Sequence, residues 1–105
     1  MDRSLFTSSR PFADWFRDLD AVTAAKVTVA ITRIGMGNLS NAQGVGAGVF
    51  EYRIDFGPGY RVYFGKDGET LVILLGGGTK QRQQRDINVA QSRWIDYKAR
   101  EKGKV

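Results

Sequence analysis

The stretch Phe50-Glu51-Tyr52-Arg53-Ile54-Asp55-Phe56-Gly57-Pro58-Gly59-Tyr60-Arg61-Val62-Tyr63-Phe64 decides the fold. Phe50, Tyr52, Ile54 and Phe56 alternate with charged residues, which is the period of a half-buried strand. Gly57-Pro58-Gly59 is a turn. Tyr60, Val62 and Phe64 then alternate with Arg61 and Tyr63. A three-residue loop sets Phe56 opposite Tyr60, Ile54 opposite Val62 and Tyr52 opposite Phe64, so one face is wholly apolar. The other face sets Asp55 against Arg61 and Arg53 against Tyr63.

Outward from this hairpin, Lys66-Asp67-Gly68-Glu69 reads as a second turn. The run Leu71-Val72-Ile73-Leu74-Leu75 lacks alternation and reads as a central strand covered on both faces. Upstream, residues 40–48 are polar and glycine-rich and read as a loop. Gly44, Gly46 and Gly48 alternate, but no strand precedes them and no helix follows, so a dinucleotide-binding fingerprint fails on context. Gly76-Gly77-Gly78-Thr79-Lys80 likewise lacks the spacing of a phosphate loop.

Three helices are expected around these strands. Ser9 caps the first and Pro11 suits its first turn. Its buried stripe is Phe12, Trp15, Phe16 and Leu19. The second runs from about Ala21 to Ile34 with Ala24, Val27, Ile31 and Ile34 inward, and ends at Gly35, Gly37 and Asn38. The third begins near Asp86. Its inner residues are Ile87, Ala90, Trp94 and Tyr97, while Arg93, Lys98 and Arg100 point outward. Leu5-Phe6-Thr7 reads as a short edge strand. The expected fold is α+β: two N-terminal helices and a C-terminal helix packed on a small antiparallel sheet, in one domain spanning residues 1–105.

Charge is distributed unevenly. Residues 80–105 hold eight cations and three anions, so the whole net charge of +5 sits in the last quarter of the chain. Such a cluster suits a polyanion, because phosphates attract lysine and arginine and release counterions. The chain has neither cysteine nor histidine. Disulfides, thiolate chemistry and histidine-based catalysis are therefore excluded, and no metal or cofactor is expected. No apolar run reaches the ~20 residues that span a bilayer. Met1-Asp2-Arg3-Ser4 opens no secretory signal, so a cytoplasmic location without membrane contact is expected.

Arg53, Arg61 and Tyr63 share the hairpin's second face, and Lys80 and Arg82 reach its rim. Guanidinium, ammonium and phenol groups without metal ligands suit a phosphodiester. Arginine on such a face can stabilise charge on a phosphorane, lysine can protonate a leaving 5′ oxygen, and Tyr63 can stack on a base or orient the 2′-hydroxyl that RNA supplies as its own nucleophile. A plainer reading pairs Arg61 with Asp55 across the strands and treats Glu51 as a structural ion-pair partner. Trp15 and Trp94 are read as core residues. Composition and spacing by themselves support a basic α+β domain that binds nucleic acid.

Gly48-Val49-Phe50-Glu51-Tyr52-Arg53-Ile54, the Gly57–Phe64 block and Leu74-Leu75-Gly76-Gly77-Gly78-Thr79-Lys80 resemble the signature of a toxin family. Gln83, Gln84, Arg85-Asp86-Ile87 and Ala90 fit the same pattern. The chain resembles the RelE/ParE superfamily of type II toxin–antitoxin systems, in its HigB-like "addiction module killer protein" branch. The resemblance implies a ribosome-dependent messenger-RNA endoribonuclease that blocks translation. It also implies a cognate antitoxin of helix-turn-helix type, with operator DNA bound only through the toxin–antitoxin complex. Arg61 matches the family's sheet arginine and Lys80 a cation after the central strand; Arg53 matches a basic strand position loosely. Arg82, Arg85, Arg93 and Lys98 are expected to contact RNA or the ribosome. Where some members carry a functional tyrosine, this chain has Asp86-Ile87. Members lacking a full catalytic set poison DNA gyrase, which gives the alternative reading.

Overall fold

In the computed structural model, which describes residues 5–69 and 71–102, the hairpin keeps its predicted faces but not its predicted register. Strand β3 (Val49–Ile54) pairs antiparallel with β4 (Tyr60–Asp67), setting Tyr52 opposite Val62, Glu51 opposite Tyr63 and Arg53 opposite Arg61. The register is displaced by two residues, and the turn lengthens to Asp55–Gly59. A shift of two preserves side-chain parity, so Tyr52, Ile54, Val62 and Phe64 still share one buried face. The longer turn is built on Gly57 and Gly59, both at positive φ, and on a Gly59 N–H to Phe56 carbonyl bond of 3.0 Å.

The remaining elements are β1 (Leu5–Ser8), α1 (Arg10–Arg17), α2 (Ala21–Gly35), β2 (Ala42–Gly46), β5 (Leu71–Thr79), a 3₁₀ turn at Lys80–Arg82 and α3 (Gln83–Lys102). Met1–Ser4 and Lys104, which entered the sequence reading, lie outside the described residues. The five strands form one sheet in the order β1-β5-β4-β3-β2. The class is α+β, but the sheet is mixed rather than antiparallel, because edge strand β1 runs parallel to β5. The middle strand is β4, with β5 beside it; Val72, Ile73, Leu74 and Leu75 are buried on both faces as expected. Residues 42–46, expected as loop, are strand β2. Their glycines and polar side chains have little strand propensity, and pairing with β3 imposes the extended form.

Each sheet face carries its own core. On one face, Phe12, Val27, Ala30 and Ile34 from α1 and α2 pack on Tyr52, Val62, Phe64, Val72 and Leu74. The Ser9 hydroxyl accepts the Phe12 N–H at 3.2 Å, which fixes the start of α1 as predicted. In α2 the buried positions are Thr23, Val27, Ala30, Ile34 and Gly35, so Val27 and Ile34 face inward as predicted while Thr23 and Ala30 replace Ala24 and Ile31. On the other face, Ala90 and Trp94 of α3 pack on Val49, Tyr63, Ile73 and Leu75. One extra residue of β5, Leu75, opposes the Tyr63–Phe64 step of β4.

Both tryptophans are seated on bare backbone. A Cβ added at Gly77 lies 2.3 Å from the Trp15 ring, and one at Gly65 lies 2.5 Å from the Trp94 ring. Gly65→Ala is therefore expected to destabilise the protein by about 1–3 kcal/mol, because the Trp94 indole has nowhere to shift within a packed face. Urea denaturation checks this: the midpoint falls while the slope stays constant. No helix among the described residues is long and apolar enough to cross a membrane.

Candidate nucleic-acid interface

Three of the predicted cations meet in one cleft. Arg53, Arg61 and Lys80 line a space of about 380 Å³ together with Asn41, Ile54, Asp55 and Gly59. Arg53 and Arg61 are paired across β3 and β4, so both guanidiniums leave the same sheet face. Lys80 is brought alongside by its backbone N–H, which donates to the Gly59 carbonyl at 2.8 Å. Gly59 is required here. It sits at φ +83°, and a Cβ would stand 3.4 Å from that of Lys80 and 3.6 Å from Arg61 Nη1.

Arg61 is nearly buried, at 8% exposure, and Glu51 is fully buried at 0%. Arg61 Nε lies 3.5 Å from Glu51 Oε1 as an ion pair, without good hydrogen-bond geometry. The Glu51 carboxylate also accepts Gln83 Nε2 at 2.9 and 3.1 Å and Gln43 Nε2 at 3.3 Å. Glu51, not Asp55, is thus the partner of Arg61, as the displaced register requires. The carboxylate ties β2, β3, β4 and α3 together behind the cleft. The sequence reading treated Glu51 as an ion-pair partner but missed Gln43 and Gln83, whose roles depend on β2 and on the seating of α3.

Tyr63 departs from expectation. It is not a surface group for RNA but is 1% exposed beneath α3. The face assigned to it was correct; the helix that covers that face was not foreseen as reaching it. Its hydroxyl makes no hydrogen bond of normal geometry. Burial first, then the carboxylates of Glu51 and Asp86, hold its phenol far above the ordinary tyrosine range, with Arg61 opposing.

A second cleft of about 370 Å³ lies between α1 and α3, over Gly76–Thr79. Arg82, Arg85 and Arg93 line it with Tyr63, Asp86 and Trp15. Thr79 belongs to this cleft and Lys80 to the first, so the chain passes from one wall to the other in a single step. Arg93, expected to point freely outward, is half-buried, and its Nη1 donates to the Leu75 carbonyl at 2.8 Å. The reason is that Leu75 is the extra residue of β5 at the Tyr63–Phe64 step, unmatched in the ladder, so its carbonyl is left for a side-chain donor. Lys98 stands apart from both clefts, with its ammonium 5.7 Å from the centroid of the Trp94 ring.

Asp86 lies in the first turn of α3, as the sequence suggests, with its carboxylate pressed onto the bare backbone of Gly78. Oδ2 is buried and unpartnered. Burial raises its pKa, against the lowering pull of Arg82, Arg85 and Arg93. A carboxyl whose folded pKa is raised opposes folding when ionised, so stability increases as pH falls through the folded value. Asp86→Asn is accordingly expected to raise Tm at pH 7, and that gain is expected to vanish well below about pH 4, where aspartate is protonated in both states. Thermal melts of both proteins across pH check the sign.

A five-stranded mixed sheet with helices on both faces is a RelE-like fold. The structure is similar to one chain of the crystal structure of the toxin–antitoxin complex RelBE2 from Mycobacterium tuberculosis, with a TM-score of 0.62 and 20% sequence identity over 74% of this chain and 99% of that one. No family model matches the sequence. An uncharacterised protein of Haemophilus influenzae is 43% identical over 81 residues, covering 76% of this chain and 82% of that protein. The chain belongs to one family with that Haemophilus influenzae protein.

Proposed function

We propose that this protein is the toxin of a type II toxin–antitoxin system, of the HigB-like branch, and that it cuts messenger RNA on the ribosome. The observation that carries the reading is the convergence of Arg53, Arg61 and Lys80 on one cleft. The likeness to a chain of a toxin–antitoxin complex supports it at the level of fold.

The chemistry follows from the charges. The 2′-hydroxyl oxygen attacks phosphorus, and the bond to the 5′ oxygen breaks, leaving a 2′,3′-cyclic phosphate. Arg61 binds the phosphoryl oxygens and offsets the charge that grows on the phosphorane. Lys80 protonates the departing 5′ oxygen. Arg53 holds the neighbouring backbone. The chain has no histidine to serve as base, so the proton of the 2′-hydroxyl passes to water or to ribosomal groups. Cleavage of free RNA is correspondingly slow. Arg82, Arg85, Arg93 and Lys98 extend the contact to RNA. A helix-turn-helix antitoxin neutralises the protein in the cytoplasm, and the pair binds operator DNA.

Induction of the chain in bacteria, with messenger 5′ ends mapped beside plasmid topology, tests the reading. New codon-spaced ends that disappear with Lys80→Ala are expected. Intact messages with cleaved or relaxed DNA instead assign the protein to gyrase poisoning. Normal growth with both intact leaves a basic RNA-binding domain.

A further inference from the structure

Helix α2 breaks the pattern of a surface helix. Such a helix turns charged and polar residues outward and keeps apolar ones for the core. Across Ala21–Gly35 the only charged residues are Lys26 and Arg33. The outer side is apolar as well as the inner one: Val22 is 57% exposed, Val29 48%, and Met36 at the C-cap 57%. The hydroxyls of Thr28 and Thr32 donate to the carbonyls of Ala24 and Thr28 at 2.9 and 3.0 Å, so these donors are spent within the helix. A helix that is apolar on all sides belongs against a partner.

The charges on that side say what the partner carries. Val22, Lys26, Val29, Arg33 and Met36 follow one another at steps of four and three, so they form one stripe along the helix. Apolar and cationic residues alternate along it. The stripe borders a groove of about 290 Å³ whose opposite wall includes Arg53, Ile54, Asp55 and Phe56. Among the described residues Lys26, Arg33 and Arg53 form no ion pair, and Asp55 is the one acid lining the groove. A second copy of α2 would set cations against cations, because the helix has no acid of its own. RNA would lay phosphate and sugar on the valines and the methionine. The Phe56 ring is no open platform for a base either, since it already carries the Lys26 ammonium at 5.2 Å and the stacked Tyr60 ring at 6.5 Å. A helix with apolar residues at the same steps and acids between them satisfies the whole stripe.

We infer that the outer stripe of α2 is the docking face for an acidic amphipathic helix of a partner protein, with apolar residues on Val22, Val29 and Met36 and carboxylates on Lys26, Arg33 and Arg53. The groove beside the stripe shares Asn41, Arg53, Ile54 and Asp55 with the phosphate cleft. A carboxylate that pairs with Arg53 therefore takes away one of the three cations that meet there. Docking and inhibition are one event on this surface. That link rests on the proposed nuclease reading; the docking face itself does not.

The test uses the full chain and peptides of 15 residues, the length of α2. One carries leucines at steps of three and four with glutamates between them. A second has lysines for the glutamates, and a third scrambles the first. The acidic amphipathic peptide is expected to bind about tenfold more tightly than the other two and to shift the backbone amide signals of Lys26, Val29 and Arg33. Lys26→Glu combined with Arg33→Glu is expected to hand the preference to the lysine peptide; both positions are exposed, so the fold is kept. Equal binding of the scrambled peptide, no binding of any, or a preference that survives the charge reversal overturns the inference. A uridine oligonucleotide that shifts these amides when the acidic peptide does not overturns it too, since the face is then a nucleic-acid track. Shifts that grow with protein concentration alone give the face to a second copy and overturn it likewise. Cleavage on messenger-programmed ribosomes keeps the readings apart. Saturating acidic peptide is expected to slow it about tenfold or more, and undiminished cleavage with the peptide bound overturns the link through Arg53. A chain that binds the peptide and cuts no RNA keeps the docking face and loses the nuclease. One that cuts RNA and ignores the peptide does the reverse.

Discussion

Arg61→Ala is expected to lower the single-turnover rate on messenger-programmed ribosomes by about 10²–10³-fold, the loss typical when a donor aimed at developing charge is removed from a sheltered site. The argument begins with position. Arg61 is held in β4 opposite Arg53, with its Nε against Glu51 and its far end lining the cleft beside Lys80. At 8% exposure it approaches a phosphate already largely desolvated, where its charge acts with less screening than at an open surface. Arg61→Lys is expected to recover only part of the rate, because an ammonium cannot reproduce the planar two-point grip on a phosphoryl group. A denaturation curve on each variant separates lost chemistry from lost fold. An unchanged rate in folded Arg61→Ala removes this residue from the mechanism.

The second large effect is on stability. Glu51→Ala leaves the Arg61 guanidinium nearly buried without a counter-charge and strips the Gln83 and Gln43 amides of their acceptor. Breaking one side of a buried pair costs about 3–5 kcal/mol, which for a domain of this size is a fall in Tm of roughly 10–30 °C. Glu51→Gln keeps the shape and an acceptor oxygen while removing the charge, so it is expected to fall between Glu51→Ala and the unaltered protein. Scanning calorimetry checks the order of the three. If Glu51→Ala melts with the unaltered protein, the carboxylate does not hold the back of the cleft.

The prediction bears on function as well. A carboxylate 3.5 Å from Nε fixes where the guanidinium points while drawing off part of its charge. The same residue thus orients Arg61 and moderates it. The amides of Gln43 and Gln83 share the carboxylate with the arginine, which limits how much charge it withdraws.

Much of this was written locally. The alternation at 50–56 and 60–64 determined which side chains share a face, because parity depends only on the period of a strand. The apolar run at 71–75 determined a strand covered on both sides. Ser9 and Pro11 determined the start of α1, and residues 80–105 set the whole net charge of +5 at one end of the chain. Even the meeting of Arg53, Arg61 and Lys80 was legible, since the first two lie on one hairpin face and the third follows the adjoining strand.

The tertiary structure decided what depends on partners distant in sequence. The two-residue shift at the hairpin leaves parity untouched, so no pattern within the strands distinguishes it, yet it replaces Asp55 by Glu51 as the partner of Arg61. Strand β2 exists through its ladder with β3 rather than through its own residues. Tyr63 was given to solvent because strand parity puts it on the face of Arg53 and Arg61, and Arg93 because it lies off the apolar stripe of its helix. The seating of Trp94 on Gly65 brings α3 down over that face, burying Tyr63, and the irregular step of the β4–β5 ladder leaves the Leu75 carbonyl for Arg93. Hydrophobic period is a property of a segment and can be read from it; register and burial are properties of pairs, and only the packed chain sets which pairs form.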